Sequence, residues 1–388
     1  MKFRVDRDAL AESVAWAARS LPSRPSVPVL AGLLLDVTST GEAAAEQSEL
    51  RLSRFDYETS ARATLPAEVI AEGTALVSGR LLADICRSLP AHQVEITLDG
   101  QRVSLVCGSA RFTLQTMPVE DYPALPGMPE QAGSVASDAF AHSVAQAVAA
   151  AGRDDMLPLL TGVRVEVDGT RISMMATDRF RASMVELEWS PERSDVERQA
   201  LVPARVLNDT AKSLTSGARV GVALADPGAA EGLIGFQGEV GGGTRRTTTR
   251  LLDGEFPRVR QLFASEPTTQ VWVETAALVE SLRRVSLVAE RNTPVRLGFD
   301  PDRVLLEAGS GDEAQASESL SVHLTGEPLS IGFNPGYLLD GLAVVDAPWC
   351  HLAFTQSTRP VSIAGAPEEG SDPDLSFRYL LMPLRLQS

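Results

Sequence analysis

A chain of 388 residues, 44% of them hydrophobic, is long enough for two or three domains with cores of their own, which excludes disorder of the whole. Its formal net charge of −16 excludes a uniformly basic surface that would grip nucleic acid or anionic lipid, while leaving room for local basic patches. Three cysteines (Cys86, Cys107, Cys350) are too few and too scattered for a disulfide framework or a metal knuckle, and fit a reducing compartment.

In chain order, "MKFRVDRDAL" lacks the apolar core of a signal peptide, and no later stretch approaches eighteen apolar residues, so a cytoplasmic protein with no membrane partner is predicted. "RDALAESVAWAARSL" carries apolar residues at helical spacing with an acid near its start. A polar insertion near "STGEAAAEQSE" and a short helix in "RLLADICRSL" follow, then "VEITLDGQRVSLVCG", which reads as strand, DG turn, strand. After a Pro- and Gly-rich linker, "PALPGMPEQAG", the same order returns: helix in "SDAFAHSVAQAVAAAG", hairpin in "VRVEVDGTRISMMA", short helix in "ARVLNDTAKSL". "ALADPGAAEGLIGFQGEVGGG" reads as a loop excursion, and "FASEPTTQ" as a second linker. A third round gives helix in "ETAALVESLRRVSLVAE", hairpin in "VRLGFDPDRVLLEA", short helix in "GYLLDGLAVV", an excursion at "AGAPEEGSDPD" and the apolar end "YLLMPLRLQS".

The order is a repeat. Thr161 to Asp178 laid over Thr293 to Ser310 gives six identities in eighteen positions without a gap, at an offset of 132. "LRLSRFDYE" matches "ISMMATDRF" at an offset of 122, and Met382-Pro383 repeats Met117-Pro118 after 265 residues. Three α+β domains in series are therefore predicted, at 1–126, 133–263 and 268–388, each with two helices packed on antiparallel sheet. The apolar end is then the closing strand of the third.

Catalytic patterns are missing. The four histidines stand far apart with no H-E-x-x-H, "GGGTRR" lacks the lysine of a phosphate loop and suits a hairpin turn, and there is no G-x-S-x-G elbow. The sequence predicts neither metal nor cofactor, and no enzyme activity.

The strings "RPSVPVLAGLLL", "SGRLLADICRSLP", "SARFTLQTMPVEDYPAL", "ATDRFRA", "LLDGEFPRVRQL", "IGFNPGYLLD" and the terminal "MPLRL" resemble, in order and over essentially the whole length, the bacterial sliding clamp, the β subunit of DNA polymerase III. The resemblance implies a DNA-clamp fold and a head-to-tail homodimer closed into a ring, helices lining the hole. Double-stranded DNA would pass through without sequence preference, and the DNA polymerase III α subunit, the clamp loader, other polymerases and repair factors would dock by short hydrophobic motifs. On this reading Arg24, Arg80, Arg153, Arg205 and Lys212 face the duplex. The docking groove is expected from Leu160, Thr177, Arg179, Arg181, Ala182, Pro257, Leu380, Met382, Pro383 and Leu384, with Met and Leu as an adaptable wall and Arg donating to peptide carbonyls. This chain has Arg179 and Phe180 where better-known members carry Gly and His, and Ala182 where Leu is common, which makes the rim bulkier and more basic. The dimer contact is expected from Arg111, Phe112 and Leu114 against Leu287 and Val288, with Glu318 as a charge partner.

Two other classes fit the residues. A duplicated clamp kept as an antibiotic-resistance form or peptide scaffold would differ in whether a loader places it on primed DNA. A repeat-built enzyme would show a deep polar pocket with perturbed carboxylates.

Overall fold

The computed structural model describes all residues except Ser23, Arg24, Ser26, 40–47, 226–231, Ser265, 290–292, 310–313 and 386–388. The polar insertion and Arg24 therefore lie outside the described residues. Each predicted helix is present: α1 (Arg7–Ala18), α2 (Gly79–Ser88), α3 (Ser137–Val148), α4 (Ala204–Ser213), α5 (Thr275–Val285) and α6 (Pro335–Leu342). Asp6 caps α1 by accepting from the amides of Asp8 and Ala9 at 3.0 and 2.9 Å, and Asn334 caps α6 ahead of Pro335. In α2 the apolar face, Leu82, Ala83, Ile85 and Cys86, is buried while Arg80, Asp84 and Arg87 stay exposed, as helical spacing dictates.

The hairpins fall at the DG pairs. Gly100 and Gly169 turn at φ of 57° and 53°, the left-handed region that glycine enters without a Cβ clash. The third copy, Asp300-Pro301, makes its turn between Val295–Phe299 and Arg303–Ala308 without such a glycine.

The described chain packs into two compact units, and the middle repeat is divided between them. In the first unit, fourteen strands form one continuous sheet. Its middle-repeat strand Gly243–Arg250 pairs with Thr59–Pro66 of the first repeat, and Thr59 and Thr249 hydroxyls meet at 3.0 Å across that seam. The core beneath is built by Phe3, Leu10, Val14, Leu33, Leu35, Leu50, Leu52, Leu82 and Leu105, all fully buried. In the second unit, a nine-stranded sheet joins Arg181–Glu188 of the middle repeat to Asp374–Leu381 at the chain end, and a four-stranded sheet runs Ala316–Ser321, Arg303–Ala308, Val295–Phe299, Leu329–Phe333.

One expectation is corrected. The Gly-rich "excursion" after Leu224 contains a full strand, Leu233–Val240, paired on both sides. Leu233, Ile234, Gly235 and Phe236 are buried in succession, so the polar-apolar alternation that marks a half-exposed strand is absent from it.

Candidate functional sites

The chain end is tied into the middle of a sheet. Asp374–Leu381 lies between Arg181–Glu188 and Val361–Ala366, with Tyr379, Leu380 and Leu381 paired on both sides, and Tyr379 and Leu381 are fully buried. Pro383 ends the strand, yet the backbone stays fixed: the Met382 amide donates to the Phe180 carbonyl and the Leu384 amide to that of Gly332, both at 2.8 Å. Met382 and Phe180 are left exposed, at 40% and 49%.

Phe180 stands on a turn made by its own sequence. Asp178 Oδ1 accepts from the amides of Phe180 and Arg181 at 3.0 and 3.1 Å, and Thr177 Oγ1 accepts from Arg179 and donates to the Arg181 carbonyl. These bonds hold Arg179 at φ 80°, costly for a residue with a Cβ, and both Arg179 and Phe180 reach solvent. Tyr57 has φ 74° at the matching position of the first repeat, where Asp56 accepts from Glu58 and Thr59, so the strained tip belongs to the repeat. What differs in the second unit is its surroundings: the Phe180 ring stacks on Tyr337 with centroids 6.2 Å apart.

Arg181, next along the turn, is engaged inside the unit. It is 5% exposed, donating Nε to Asp178 and Nη1 to Asp340 at 2.8 Å each, with Tyr379 Oη at 3.3 Å and the Tyr337 ring 4.4 Å below. Burial works against its charge, but Tyr379, Asp340 and Asp178 outweigh it and raise the pKa. Tyr379, pushed up mainly by burial, stays neutral and donates to the Tyr337 carbonyl at 2.8 Å. Arg181 thus braces the wall from behind, and Arg179 is the exposed arginine at this turn. Arg153, 83% exposed, reaches the same Asp340 at 3.6 Å.

Below the turn lies an apolar cluster of Met175, Ala182, Met184, Leu201, Phe256, Val259 and Leu380, with Leu159, Leu252 and Phe263 packed against it. Of the expected groove residues, Leu160, Thr177, Arg181, Ala182 and Leu380 are buried floor or support, Arg179, Pro257 and Met382 are exposed, and Pro383 and Leu384 are half-buried. Sequence reading passed over Tyr337, Asp340 and Asp178. The repeat aligns Phe180 with Glu58, but nothing in the local pattern announces the long-range stack on α6.

Among the expected DNA-facing residues, Arg80 on α2, Arg205 and Lys212 on α4 and Arg153 after α3 are all exposed, and Arg80 also donates to the Leu21 carbonyl at 3.0 Å. The dimer residues divide. On the strand Ala110–Met117, Arg111 points outward, but Leu114 is 2% exposed and belongs to the core, because alternation sends Leu114 inward between Thr113 and Gln115. Glu318 is already held by Arg284, with Nε to Oε2 at 3.0 Å and Nη2 to Oε1 at 2.6 Å, which lowers its pKa. Leu287 stands 84% exposed and Val288 is half-buried.

No helix is long and apolar enough to cross a membrane, and the described residues hold no cluster of His, Cys, Asp and Glu fit for a metal ion. All three cysteines are free and buried.

Three repeats of two helices on antiparallel sheet, with the chain end laid across an apolar wall, define the sliding-clamp class. Family profiles agree: the N-terminal, central and C-terminal domains of the DNA polymerase III beta subunit match residues 1–126, 134–258 and 260–385. The chain is 55% identical over 386 residues to the beta sliding clamp of Streptomyces coelicolor, covering all of both chains, and 44% identical over 385 residues to the beta sliding clamp homolog GriR of Streptomyces muensis, covering 99% of each. Among solved structures it matches the DNA polymerase sliding clamp of Bacillus subtilis with TM-score 0.88 and 24% identity. The clamp of Pseudomonas aeruginosa bound to griselimycin matches with TM-score 0.87 and 26% identity; coverage of both chains is complete in each case. The chain belongs to the DNA polymerase III β subunit family of bacterial sliding clamps.

Proposed function

We propose that this clamp acts as a head-to-tail homodimer of three-domain chains, divided near 1–126, 133–263 and 268–388, that encircles duplex DNA. In this reading it tethers the DNA polymerase III α subunit, the clamp loader and other polymerases and repair factors through a groove in its second unit. The observation that carries the groove is the chain end itself, held by main-chain bonds to Phe180 and Gly332 with Met382 left in solvent. An exposed methionine on a rigid backbone beside Phe180 and Tyr337 is an adaptable apolar wall, suited to short hydrophobic peptides of varied sequence. Arg179 adds a cation at the rim, which favours peptides with a carboxylate next to their apolar residues.

The six α-helices among the described residues would give twelve in a dimer, which at about 8–10 Å spacing describe a circle roughly 35 Å across. Subtracting a helix diameter of about 10 Å leaves roughly 25 Å, room for a hydrated duplex. Arg80, Arg153, Arg205 and Lys212 supply exposed cations on or next to these helices, and Arg24 joins them by sequence. A clamp held by topology needs only a few mobile phosphate contacts, and acidic surfaces elsewhere disfavour external binding.

The test is peptide affinity after deletion of the last five residues, Leu384 to Ser388. Loss of binding with an unchanged melting temperature is expected; full affinity overturns the groove. For the duplex, replacing Arg80, Arg153, Arg205 and Lys212 by Ala should flatten the salt dependence of DNA binding by the unloaded protein. An unchanged slope overturns their assignment.

A further inference from the structure

In the first unit an open cleft of about 1440 Å³ is lined by Arg51, Arg62 and Arg246. Arg62 and Arg246 are direct cross-strand partners in the seam between Thr59–Pro66 and Gly243–Arg250. Such opposed residues hold their Cβ atoms about 4.5–5.5 Å apart, and like charges there are destabilising. Arg51 opposes Thr64, two residues along from Arg62 and on the same face.

No acid lining the cleft forms an ion pair with Arg62 or Arg246. Glu49 and Asp36 are engaged with Arg51, Glu68 with Arg4, and Asp6 with the start of α1. Glu239, diagonal to Arg246 across the next strand pair, forms no ion pair with it. Arg62 spends Nε on Ser53 at 3.3 Å, and apart from the main-chain ladder of its strand Arg246 has no hydrogen bond or ion pair among the described residues. Burial, then Arg51, then Arg246 lower the Arg62 pKa, against the weaker opposing pull of Asp36 and Glu49. The fold does not impose this crowding. The repeat offsets of 122 and 132 carry Arg62 and Arg246 onto Met184 and Arg378, which are also direct partners, and there the arginine lies against the methionine sulfur at 3.9 Å and the Phe263 ring at 5.5 Å. One seam thus sets arginine against an apolar partner, and the other sets arginine against arginine in an open cleft, in a molecule with an excess of acids.

We propose that Arg62 and Arg246, flanked by Arg51, form a site for a small polyphosphate, either free pyrophosphate or the phosphate chain of a nucleotide. Forked guanidinium groups match phosphate oxygens in bidentate fashion, and a bound oxyanion cancels the repulsion that the empty pair carries. The site shares no residue with the proposed peptide groove or with the cations assigned to the duplex.

Calorimetric titration of the full chain at low ionic strength, without DNA, tests it with three probes: pyrophosphate, ATP and adenosine. Pyrophosphate and ATP should bind and adenosine should not; ATP binding more tightly than pyrophosphate by about tenfold or more identifies a nucleotide as the ligand, and equal affinities identify the phosphate chain alone. Arg62→Met and Arg246→Gln should each weaken pyrophosphate by about tenfold. A second readout separates a site from misfolding: without ligand, Arg246→Gln should raise the melting temperature by about 1–3 °C, because it removes a like-charge pair. Absence of pyrophosphate binding overturns the proposal, as does binding that survives both substitutions or a fall in melting temperature for Arg246→Gln.

Discussion

His351 is 5% exposed, 4.8 Å from the Trp272 ring, with Nε2 3.0 Å from Gln270 Oε1, and burial lowers its pKa from 6.5 to about 4. The folded state therefore binds fewer protons than the unfolded one between those values. The stability this gives is complete above pH 6.5 and is lost as the pH falls toward 4, with a slope of at most about 1.4 kcal/mol per pH unit from this group. Denaturant titrations at pH 7 and pH 4.5 should show the loss, and His351→Gln should reduce its pH dependence. Arg181 makes a sharper case. Replacing it by Ala removes the ion-pair partner of Asp178 and the donor to Tyr379, and breaking a buried pair costs about 3–5 kcal/mol, so Arg181→Ala should unfold the second unit at markedly lower denaturant and take peptide affinity with it. Arg181→Lys should recover charge but not the fork to Asp178 and Asp340, leaving an intermediate loss.

At the scale of elements, helices and hairpins were legible because their signals are local: helical spacing in the six helices, DG at Gly100 and Gly169. Pairings between strands far apart in sequence were not. Local periodicity cannot say that Thr59–Pro66 takes Gly243–Arg250 as its neighbour, or that the middle repeat gives strands to two units, because edge pairing is set by where the chain returns. Leu233–Val240 escaped notice for the related reason that a strand covered on both sides loses its alternation. For the proposed groove, Met382 was named from the family resemblance and is exposed, whereas the contacts of Arg181 with Asp178, Asp340 and Tyr337 had no local signal. The Phe180 turn offers an element-level test. Since its bonds to Asp178 and Thr177 fix φ at 80° for Arg179, Arg179→Gly should relieve backbone strain and stabilise the second unit by about 1 kcal/mol, while removing the rim cation and weakening peptides that carry an acid.

For the whole molecule, the proposed ring would close through two edges that the described residues leave open. Among the described residues, only Thr116 and Met117 of Ala110–Met117 pair with Gly73–Ser78, so one side of Ala110–Gln115 has no described strand beside it, and Ala316–Ser321 ends the four-stranded sheet. Open edges invite pairing with another chain. A contact between two different edges is heterologous, and a two-membered ring has two such contacts. Leu287, 84% exposed near the second edge, is the residue to test, since removing it costs the isolated chain almost nothing. If its burial gives about 2 kcal/mol per contact, Leu287→Asp affects both contacts and loosens the dimer by about 4 kcal/mol, roughly a thousandfold in dissociation constant. Light scattering at micromolar concentration should then report the 41.4 kDa chain for Leu287→Asp and twice that mass for the wild type, with equal melting temperatures for the second unit. A wild type that stays monomeric under those conditions contradicts the ring, and a variant that stays dimeric moves the contact away from Leu287.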